Sequence, residues 1–309
     1  MTGHASLYVR FEDVLKFINL KGSTTNKINQ CISHSVSLTS KVCKILESIV
    51  KDNVLDHIKK YKLIKETQHG FVKNRSCLTN LLEFLEYVSD YVDQGYPVDV
   101  IYLDFQKAFD KVPHGRLMLK VKSFGIVGRI YDWIKDWLEG REQRVVLLGK
   151  SSSWTKVISG VPQGSVLGPL LFLIYINDLD DSICSKVLKF ADDTKVFSVV
   201  SNAHDIDRLQ QDLRNLCNWS RDWQMLFNVD KCKIMHIGYN NGKAKYEMNG
   251  KYLEEVIEER DLGVIIQSDL KCSSQWIKAA NTANTVEILR IVKYWKIVSN
   301  CMAIDRHIA

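Results

Sequence analysis

Apolar residues recur at a helical spacing in several segments of the chain. One stripe begins at Val42. Another begins at Leu78, where Ser76 is a suitable helix N-cap and Gly95 a suitable stop. The same spacing predicts further helices over 115–123, 129–138, 165–178, 204–223 and 273–300. The segments between these helices contain shorter runs with the composition of strands.

The shorter runs are rich in β-branched residues and predict strands and hairpins. One strand spans 98–103, and a hairpin joins Lys186–Phe190 to Lys195–Val200. Asn249-Gly250 is a type I′ turn signal. The other predicted strands are 144–148 and 154–158, as a second hairpin, 232–237 and 260–266. Because helices and strands mix without a regular βαβ order, we expect an α+β fold.

An acidic turn lies between the two strands of the hairpin that ends at Val200. It carries Asp192 and Asp193, and Asp104 falls where the strand 98–103 ends. Adjacent carboxylates repel each other, so a tight turn that keeps both predicts a bound cation. Two-metal phosphoryl transfer uses ions about 3.5–4 Å apart between shared carboxylates, and such oxygens suit Mg²⁺. The alternatives are an exposed Asp-Asp turn and, for Asp104, a helix N-cap.

Composition and charge narrow the class of protein. The 309 residues are 46% hydrophobic and 25% charged, with a net charge of +6, and they suffice for a large core. Positive charge is concentrated in 41–75, with nine Lys/Arg against four Asp/Glu, and in 107–150, with ten against five. Two basic segments around a carboxylate site suit a polyanion. The alternative is that these residues only solvate helix faces.

Cysteine usage and hydropathy bear on the compartment. None of the eight cysteines forms a C-x-x-C pair, which disfavours a zinc site. We expect no secretory signal and no membrane span, since the sequence lacks an unbroken apolar run of 18 or more residues. An intracellular protein with reduced thiols follows from these expectations.

Three segments stand in the order of the polymerase motifs A, B and C. They are Asp104–Asp110 (DFQKAFD), Gly160–Pro169 (GVPQGSVLGP) and Phe190–Asp193 (FADD). From roughly Val36 to Lys271 the chain resembles the reverse transcriptases of non-LTR (LINE-type) retrotransposons, in particular the jockey-like and CR1-like elements. The resemblance implies a right-hand polymerase fold, with fingers, an antiparallel-sheet palm and a truncated thumb, that copies RNA into DNA.

The resemblance also implies a domain organisation and a set of partners. It assigns 1–35 to a poorly patterned N-terminal segment, 36–97 to the fingers, 98–270 to the palm with fingers insertions, and 271–309 to a partial thumb. The implied partners are an RNA template, a DNA primer and dNTPs, with an endonuclease as a further domain or as a protein in trans. The implied location is the nucleus, the cytoplasm or both, without a membrane.

Catalytic residues are implied by the same motifs. Asp104 and Asp192 would be the main ligands of two Mg²⁺ ions, with Mn²⁺ as an alternative. Asp193 would contact the ions less directly, and the backbone carbonyl of Phe105 would face them. Lys231 matches the motif D lysine, whose ammonium would protonate the pyrophosphate leaving group. The alternative for Lys231 is a solvated surface lysine.

Nucleotide contacts are implied at five further positions. Phe109 matches an aromatic steric gate beneath the sugar, which favours deoxynucleotides; the alternative is a core phenylalanine. Gln163 and Gly164 match a loop that approaches the nucleotide; the alternative is a turn that needs only glycine. Lys73 and Arg75 match basic fingers residues on the triphosphate, for which a forked guanidinium is well suited.

The chain departs from the family pattern in the fingers. Ser33-His34-Ser35 replaces a usual Tyr-Arg-Pro, Val72 replaces an arginine, and the match weakens after about residue 272. Two other functions therefore stay open. One is a catalytically decayed retrotransposon fragment that only binds nucleic acid. The other is an RNA-dependent RNA polymerase, which Phe109 disfavours.

Overall fold

The computed structural model describes residues 41–144, 146–147 and 150–282. Its helices are α1 (Lys41–Tyr61), α2 (Cys77–Asp93), α3 (Ala108–Lys111), α4 (His114–Ser123), α5 (Arg129–Leu138), α6 (Gly168–Ile176) and α7 (Ala203–Asp222). Residues 273–282 are also helical. Apart from α3, which was not predicted, these helices confirm those expected from the apolar spacing; residues 283–300 of the predicted helix 273–300 lie outside the described residues. The predicted N-terminal segment 1–35 and the end of the predicted thumb, 283–309, lie outside the described residues.

The strands are short except in one sheet. They are β1 (Val98–Leu103), β2 (Glu142–Gln143), β3 (Val146–Leu147), β4 (Lys150–Ser151), β5 (Thr155–Lys156), β6 (Lys186–Phe190), β7 (Asp193–Val199), β8 (Lys233–Ile237), β9 (Glu247–Met248), β10 (Lys251–Tyr252), β11 (Glu254–Glu255), β12 (Glu258–Asp261) and β13 (Val264–Gln267). Where a single hairpin was predicted from 144 to 158, two small ladders form instead, β2 with β5 and β3 with β4.

β1 is the centre of a five-stranded sheet with the order β11-β8-β1-β7-β6. It pairs antiparallel with β7 and β8, β6 pairs antiparallel with β7, and β11 runs parallel to β8. Successive side chains of a strand point to opposite faces, so β1 serves two cores. Val98 and Val100 pack with Phe84 of α2. Ile101 and Leu103 join a larger cluster with α4, α6 and α7.

Two helices show how local sequence determines their place. α6 is apolar on all sides and is buried except at Pro169, as expected for a helix inside a core. Pro169 lies in the first turn, where its missing N–H has no helical partner to lose. α2 begins with a capping box, in which the Ser76 hydroxyl accepts from the Thr79 N–H at 3.2 Å and the Thr79 hydroxyl accepts from the Ser76 N–H at 2.9 Å. The predicted N-cap is therefore confirmed.

The buried face of α1 is not the one that its apolar stripe predicts. Val42, Ile45 and Ile49 are exposed, whereas Glu47 and Val54 are buried. The physical reason is a polar anchor, because the Glu47 carboxylate accepts a hydrogen bond from the Val166 N–H at 2.6 Å, just before α6. The side of α1 that carries Glu47 therefore faces the start of α6.

Residues 260–266 do not form the single strand that was predicted. β12 and β13 pair antiparallel across Leu262-Gly263, which have φ angles of 47° and 94°. Positive φ at both central positions is the type I′ pattern, and leucine rarely signals it in a sequence. Asn249 and Gly250, with φ of 51° and 80°, confirm the type I′ turn predicted between β9 and β10.

Two features of the described chain bear on its environment. No disulfide joins cysteines of the described residues. Within the same ranges, no helix is both long enough and apolar enough to cross a membrane.

Candidate active site

The register of β1 against β7 brings acidic residues from two distant segments together. Leu103 pairs with Thr194, so Asp104, the next residue, comes opposite Asp193, the residue before Thr194. Paired Cα atoms of an antiparallel sheet are about 4.5–5.5 Å apart. Asp192 belongs to the turn that precedes β7, whereas Asp193 is the first residue of β7 itself. The three acids predicted to hold metal thus share one end of the sheet.

Negative charge accumulates at this end. The pKa of Asp193 is raised from 3.8 to about 6, first by burial and then by the charges of Asp192, Asp261 and Asp104, while Lys195 lowers it. The pKa of Asp192 is also raised, by burial first and by Asp104. Asp193 keeps an exposed edge, where water screens part of the repulsion. Like charges held together in this way favour a proton or a metal cation.

One oxygen of Asp104 lacks a hydrogen bond. Its Oδ2 is buried and has no donor among the described residues. The Lys231 ammonium lies 3.7 Å from this oxygen, which is an ion pair but too long for a hydrogen bond. A buried oxygen without a hydrogen-bond donor lowers the stability of the folded state by about 1–3 kcal/mol or more. Such an atom in a folded protein indicates a ligand site or a catalytic role.

These carboxylates fit a divalent cation. Mg²⁺ is usually bound through one or two carboxylates, while water and substrate phosphates supply its other ligands. In residues 41–144, 146–147 and 150–282, no group of three or more His, Cys, Asp or Glu side chains is close enough to enclose an ion. Whether Asp104, Asp192 and Asp193 hold an ion together stays a prediction.

Asp104 is held in place by the segment that precedes β8. Its carbonyl accepts a hydrogen bond from the Asn228 N–H at 2.7 Å. The buried Phe105 ring stacks on Phe227, with ring centroids 4.5 Å apart. The same segment carries Lys231 to the Asp104 carboxylate.

An open pocket of about 360 Å³ lies beside the acids. Asp104, Asp193 and Lys231 line it, together with residues of the β12–β13 hairpin. Lys195 and Asp261, which also line the pocket, form a buried ion pair that joins the hairpin to the sheet. Leu262, in the Leu262-Gly263 turn that resembles the family's motif E, also lines this pocket.

The loop that contains Gln163 is tied to the segment after Asp104. The Val161 N–H donates to the Phe109 carbonyl and the Gly160 N–H donates to the Val112 carbonyl, both at 2.8 Å. A Cβ atom on Gly160, whose φ is +88°, would lie 2.7 Å from the backbone oxygen of Asp110 in α3. Glycine is required here by this close approach as well as by its φ.

The predicted nucleotide residues have different surroundings. The half-buried Phe109 ring stacks on Phe172 of α6, with centroids 4.3 Å apart. Gln163 is half-buried and Gly164 is exposed, with φ +90°. Phe109 thus has a packed face, as the core alternative expects, and its role as a gate stays a prediction.

The two basic residues predicted for the triphosphate also differ. Lys73 is exposed. The Arg75 guanidinium donates to the Glu66 carbonyl and lies 3.1 Å from His69 Nε2. His69 in turn lies 3.3 Å from the Glu83 carboxylate. Arg75 would have to leave these contacts to meet a phosphate, so its role too stays a prediction.

Comparison with known proteins decides the family. The sequence model described as "Reverse transcriptase (RNA-dependent DNA polymerase)" matches residues 32–281. The chain belongs to the reverse transcriptase family.

Relatives of this reverse transcriptase are encoded by mobile elements. It is 30% identical over 202 residues to the probable RNA-directed DNA polymerase from transposon X-element of Drosophila melanogaster, covering 63% of this chain and 22% of the relative. It is 28% identical over 246 residues to the RNA-directed DNA polymerase from mobile element jockey of Drosophila funebris, covering 76% and 26%. The resemblance to jockey-type elements is confirmed, and the chain spans about a quarter of the length of these relatives.

A solved structure supports the fold. The structure of telomerase from Candida tropicalis in complex with a fragment of telomeric RNA aligns with a TM-score of 0.52 at 13% identity, covering 74% of this chain and 37% of that chain. At this identity the likeness concerns the fold alone. The α+β reverse transcriptase fold expected from the sequence is confirmed.

Sequence reasoning missed three residues around the reverse transcriptase motifs. Gln68 contacts the aspartate turn, and Lys195 and Asp261 form the buried ion pair beside it. Charged residues inside a predicted strand or hairpin were the available signal for the ion pair. Gln68 had no such signal, because its partners are backbone groups that no residue pattern marks.

Proposed function

We propose that the chain is an RNA-directed DNA polymerase domain that extends the 3′-hydroxyl of a DNA primer with dNTPs on an RNA template. The observation that carries the proposal is the meeting of Asp104 with Asp193 and the Asp192 turn across β1 and β7. The Asp104 oxygen without a donor supports it, since it is left available to a ligand. Family membership makes polymerisation the reaction that this acidic site fits.

Asp104 and Asp192 would hold two Mg²⁺ ions, with Mn²⁺ as an alternative, and Asp193 and the Phe105 carbonyl would assist. When bound, such ions lower the pKa of a primer hydroxyl and offset the charge that develops on the phosphates. The protein itself orients the reacting groups and excludes other geometries. Lys231 would pass a proton to the departing pyrophosphate. Its ammonium lies 3.7 Å from Asp104, which supports this role.

Phe109, Gln163 and Gly164 would contact the incoming nucleotide, and Lys73 and Arg75 its triphosphate. The hydrogen bond from the Val161 N–H to the Phe109 carbonyl supports the first group, because it joins the backbone of the loop to the backbone of Phe109. A bulky ring beneath the sugar would exclude a 2′-hydroxyl. The substrate would therefore be a deoxynucleotide.

The domain would act with partners outside the described residues. An endonuclease, as a further domain or in trans, would supply the primer end at a target site. The basic segments 41–75 and 107–150 would lie along the template and primer, in the nucleus, the cytoplasm or both. The division into fingers at 36–97, palm at 98–270 and thumb from 271 is part of the same proposal.

Primer extension on an RNA template tests the proposal directly. Wild type and Asp192→Asn are compared with dNTPs and with rNTPs at equal Mg²⁺. Extension with dNTPs that is lost in Asp192→Asn supports the polymerase. Equal background in both proteins with nucleic-acid binding retained identifies a decayed fragment, and a preference for rNTPs identifies an RNA polymerase.

Phe109→Ala sharpens the substrate assignment. Removing the ring should raise the relative use of rNTPs by about one to two orders of magnitude, because a packed steric contact of this size discriminates by about 1–3 kcal/mol. Asn218→Ala, an exposed change on α7, serves as the control. An unchanged ratio of rNTP to dNTP use in Phe109→Ala would assign the ring to the core alone.

A further inference from the structure

The turn that carries the aspartates has an unfavourable conformation. β6 and β7 pair up to Phe190 and Asp193, so only Ala191 and Asp192 form the turn. Ala191 has a φ of +55°, and Asp192 has a negative φ. Positive φ at the first position alone is the sign pattern of a type II′ turn, which usually has glycine there. An alanine in this conformation persists only if its surroundings hold it.

Gln68 supplies such a support. Its side-chain oxygen accepts two backbone hydrogen bonds, from the Ala191 N–H at 2.9 Å and from the Gly70 N–H at 2.7 Å. The residue is 2% exposed, so no water competes for these bonds. Of the contacts around the turn, this one reaches the strained residue itself.

The segment that carries Gln68 lies along the edge of β6. The His69 N–H donates to the Lys189 carbonyl and the Lys189 N–H donates to the Thr67 carbonyl, both at 2.8 Å. The Asn80 amide donates to the same Lys189 carbonyl at 3.2 Å. The buried Lys189 ammonium also pairs with Asp180 at 2.8 Å. Gln68 is therefore held rigidly on both sides of its contact with the turn.

Gly70 allows this contact by having no side chain. A Cβ atom there would lie 2.4 Å from the Ala191 nitrogen and 2.9 Å from the Phe190 carbonyl carbon. Both are backbone atoms, so neither can move aside as a flexible side chain could. Gly70 is not among the residues with positive φ, so the close approach is what requires glycine.

We propose that Gln68 is a positioning residue that holds the Ala191 turn and thereby orients Asp192 and Asp193. The inference rests on the proposed function for its catalytic meaning, but the hold on the turn is independent of it. It also links the loop that continues to Lys73 and Arg75 with the acidic site, because residues 68–70 join the two.

Two substitutions weaken the contact from opposite sides. Gln68→Met keeps the length and packing of the side chain and removes its acceptor oxygen. Gly70→Ala pushes a methyl group into the Ala191 backbone. Gln210→Met is the matched control, because Gln210 on α7 also makes two backbone hydrogen bonds at 2.9 Å, both to Glu247, away from the acids.

Amide hydrogen exchange at Ala191 and the kinetics of primer extension are measured on all variants. Both site variants should speed exchange at Ala191 by about tenfold or more and lower kcat by about 10- to 100-fold, since a misplacement near 1 Å has such an effect. KM for dNTP should change by less than about threefold, because the acids and not the nucleotide loop are displaced. The double variant should lose no more kcat than the worse single variant.

Each outcome decides the inference. Unchanged exchange at Ala191 in Gln68→Met overturns it, and so does faster exchange with an unchanged kcat, or an equal effect of Gln210→Met. A wild type that extends no primer overturns the proposed function instead. In that case two measurements on wild type and Gln68→Met decide the inference: amide exchange at Ala191 and the affinity for Mn²⁺ alone. If neither measurement differs between the two proteins, the inference is wrong.

Discussion

β1 has an aspartate near each end, Asp99 and Asp104, and the surroundings of the two carboxylates differ. Asp99 is completely buried and accepts hydrogen bonds from His236 Nδ1 and the Tyr246 hydroxyl at 2.6 Å and from the Asn241 amide at 2.8 Å. Asp104 has a buried oxygen with no donor among the described residues. One carboxylate is satisfied by its neighbours and the other is not.

This difference in hydrogen bonding indicates a structural role for Asp99 and supports the proposed functional role of Asp104. At the Asp99 end, donors from β8 and from the chain after it surround the charge, and the network fixes how those segments pack on β1. At the Asp104 end, the nearest groups on β7 and its turn are further carboxylates. The fold satisfies Asp99 fully but leaves Asp104 among like charges, with Lys231 as an ion-pair partner at 3.7 Å. This contrast supports the proposal that the Asp104 end binds a cationic ligand.

Asp104→Asn should have the largest effect of any change in this comparison. We expect kcat for primer extension to fall by about three orders of magnitude, because losing one ligand of the catalytic ions removes about 4 kcal/mol of transition-state stabilisation. The temperature of thermal unfolding should not fall, since the Asp104 Oδ2 atom accepts no hydrogen bond and its ion pair with the exposed Lys231 contributes little. Steady-state extension and calorimetry on the same preparation check both points.

Asp99→Asn is the matched control for that experiment. The same chemical change at the other end of β1 should leave kcat of the folded protein within a few-fold of wild type. Equal losses of kcat at the two ends would contradict the division of roles.

Asp99→Ala should have the largest effect on stability. It leaves His236, Tyr246 and Asn241 without their shared acceptor, and breaking a buried charged network of this kind costs about 3–5 kcal/mol. Urea unfolding followed by circular dichroism measures the loss. A loss below about 1 kcal/mol would show that water or another residue replaces Asp99, and that the two ends differ less than their hydrogen bonds indicate.

The smallest expected effect is the pH dependence of stability, measured in the presence of a chelator so that no divalent ions are bound. The pKa of Asp193 is raised to about 6 in the folded chain, above its ordinary value, so the folded state binds the proton more tightly than the unfolded state. The Asp193 charge therefore lowers stability as pH rises from about 4 to 6, and the full penalty remains above 6. Asp193→Asn should be more stable than wild type at pH 7, and this advantage should shrink towards pH 4.

Thermal unfolding across this pH range measures the effect. If Asp193→Asn raises the unfolding temperature equally at pH 4 and pH 7, repulsion within the acidic cluster is not the cause of the stabilisation. Added Mg²⁺ should stabilise wild type more than the variant.

The sequence predicts the parts of this picture that depend on local pattern. Ser76 as a cap, the strand before Asp104 and the hairpin whose turn carries Asp192 all follow from side-chain spacing and turn chemistry, and the order of three motifs predicts the family. The exposed stripe at Val42 was not predictable, because Glu47 decides the rotation of α1 through a contact with the distant Val166 N–H.

The sequence predicted the acidic residues of the candidate site but not the residues that hold them in place. Asp104 and Asp193 are acidic residues at strand ends, which a pattern can mark. Gln68 and the Lys195–Asp261 pair act through contacts between segments far apart in sequence, and these depend on register and docking angle. The residue pattern predicted a single strand over 260–266 instead of the β12–β13 hairpin, because leucine at positive φ is held by its tertiary surroundings.

Anomalous scattering from Mn²⁺ tests the central claim most directly. Crystals of the protein with primer, RNA template and a non-hydrolysable dNTP analogue should show two peaks about 3.5–4 Å apart between the Asp104 carboxylate and the Asp192–Asp193 turn, with none at Asp99. Crystals in which the nucleotide is bound but no peak lies within ligand distance of Asp104 would contradict the claim.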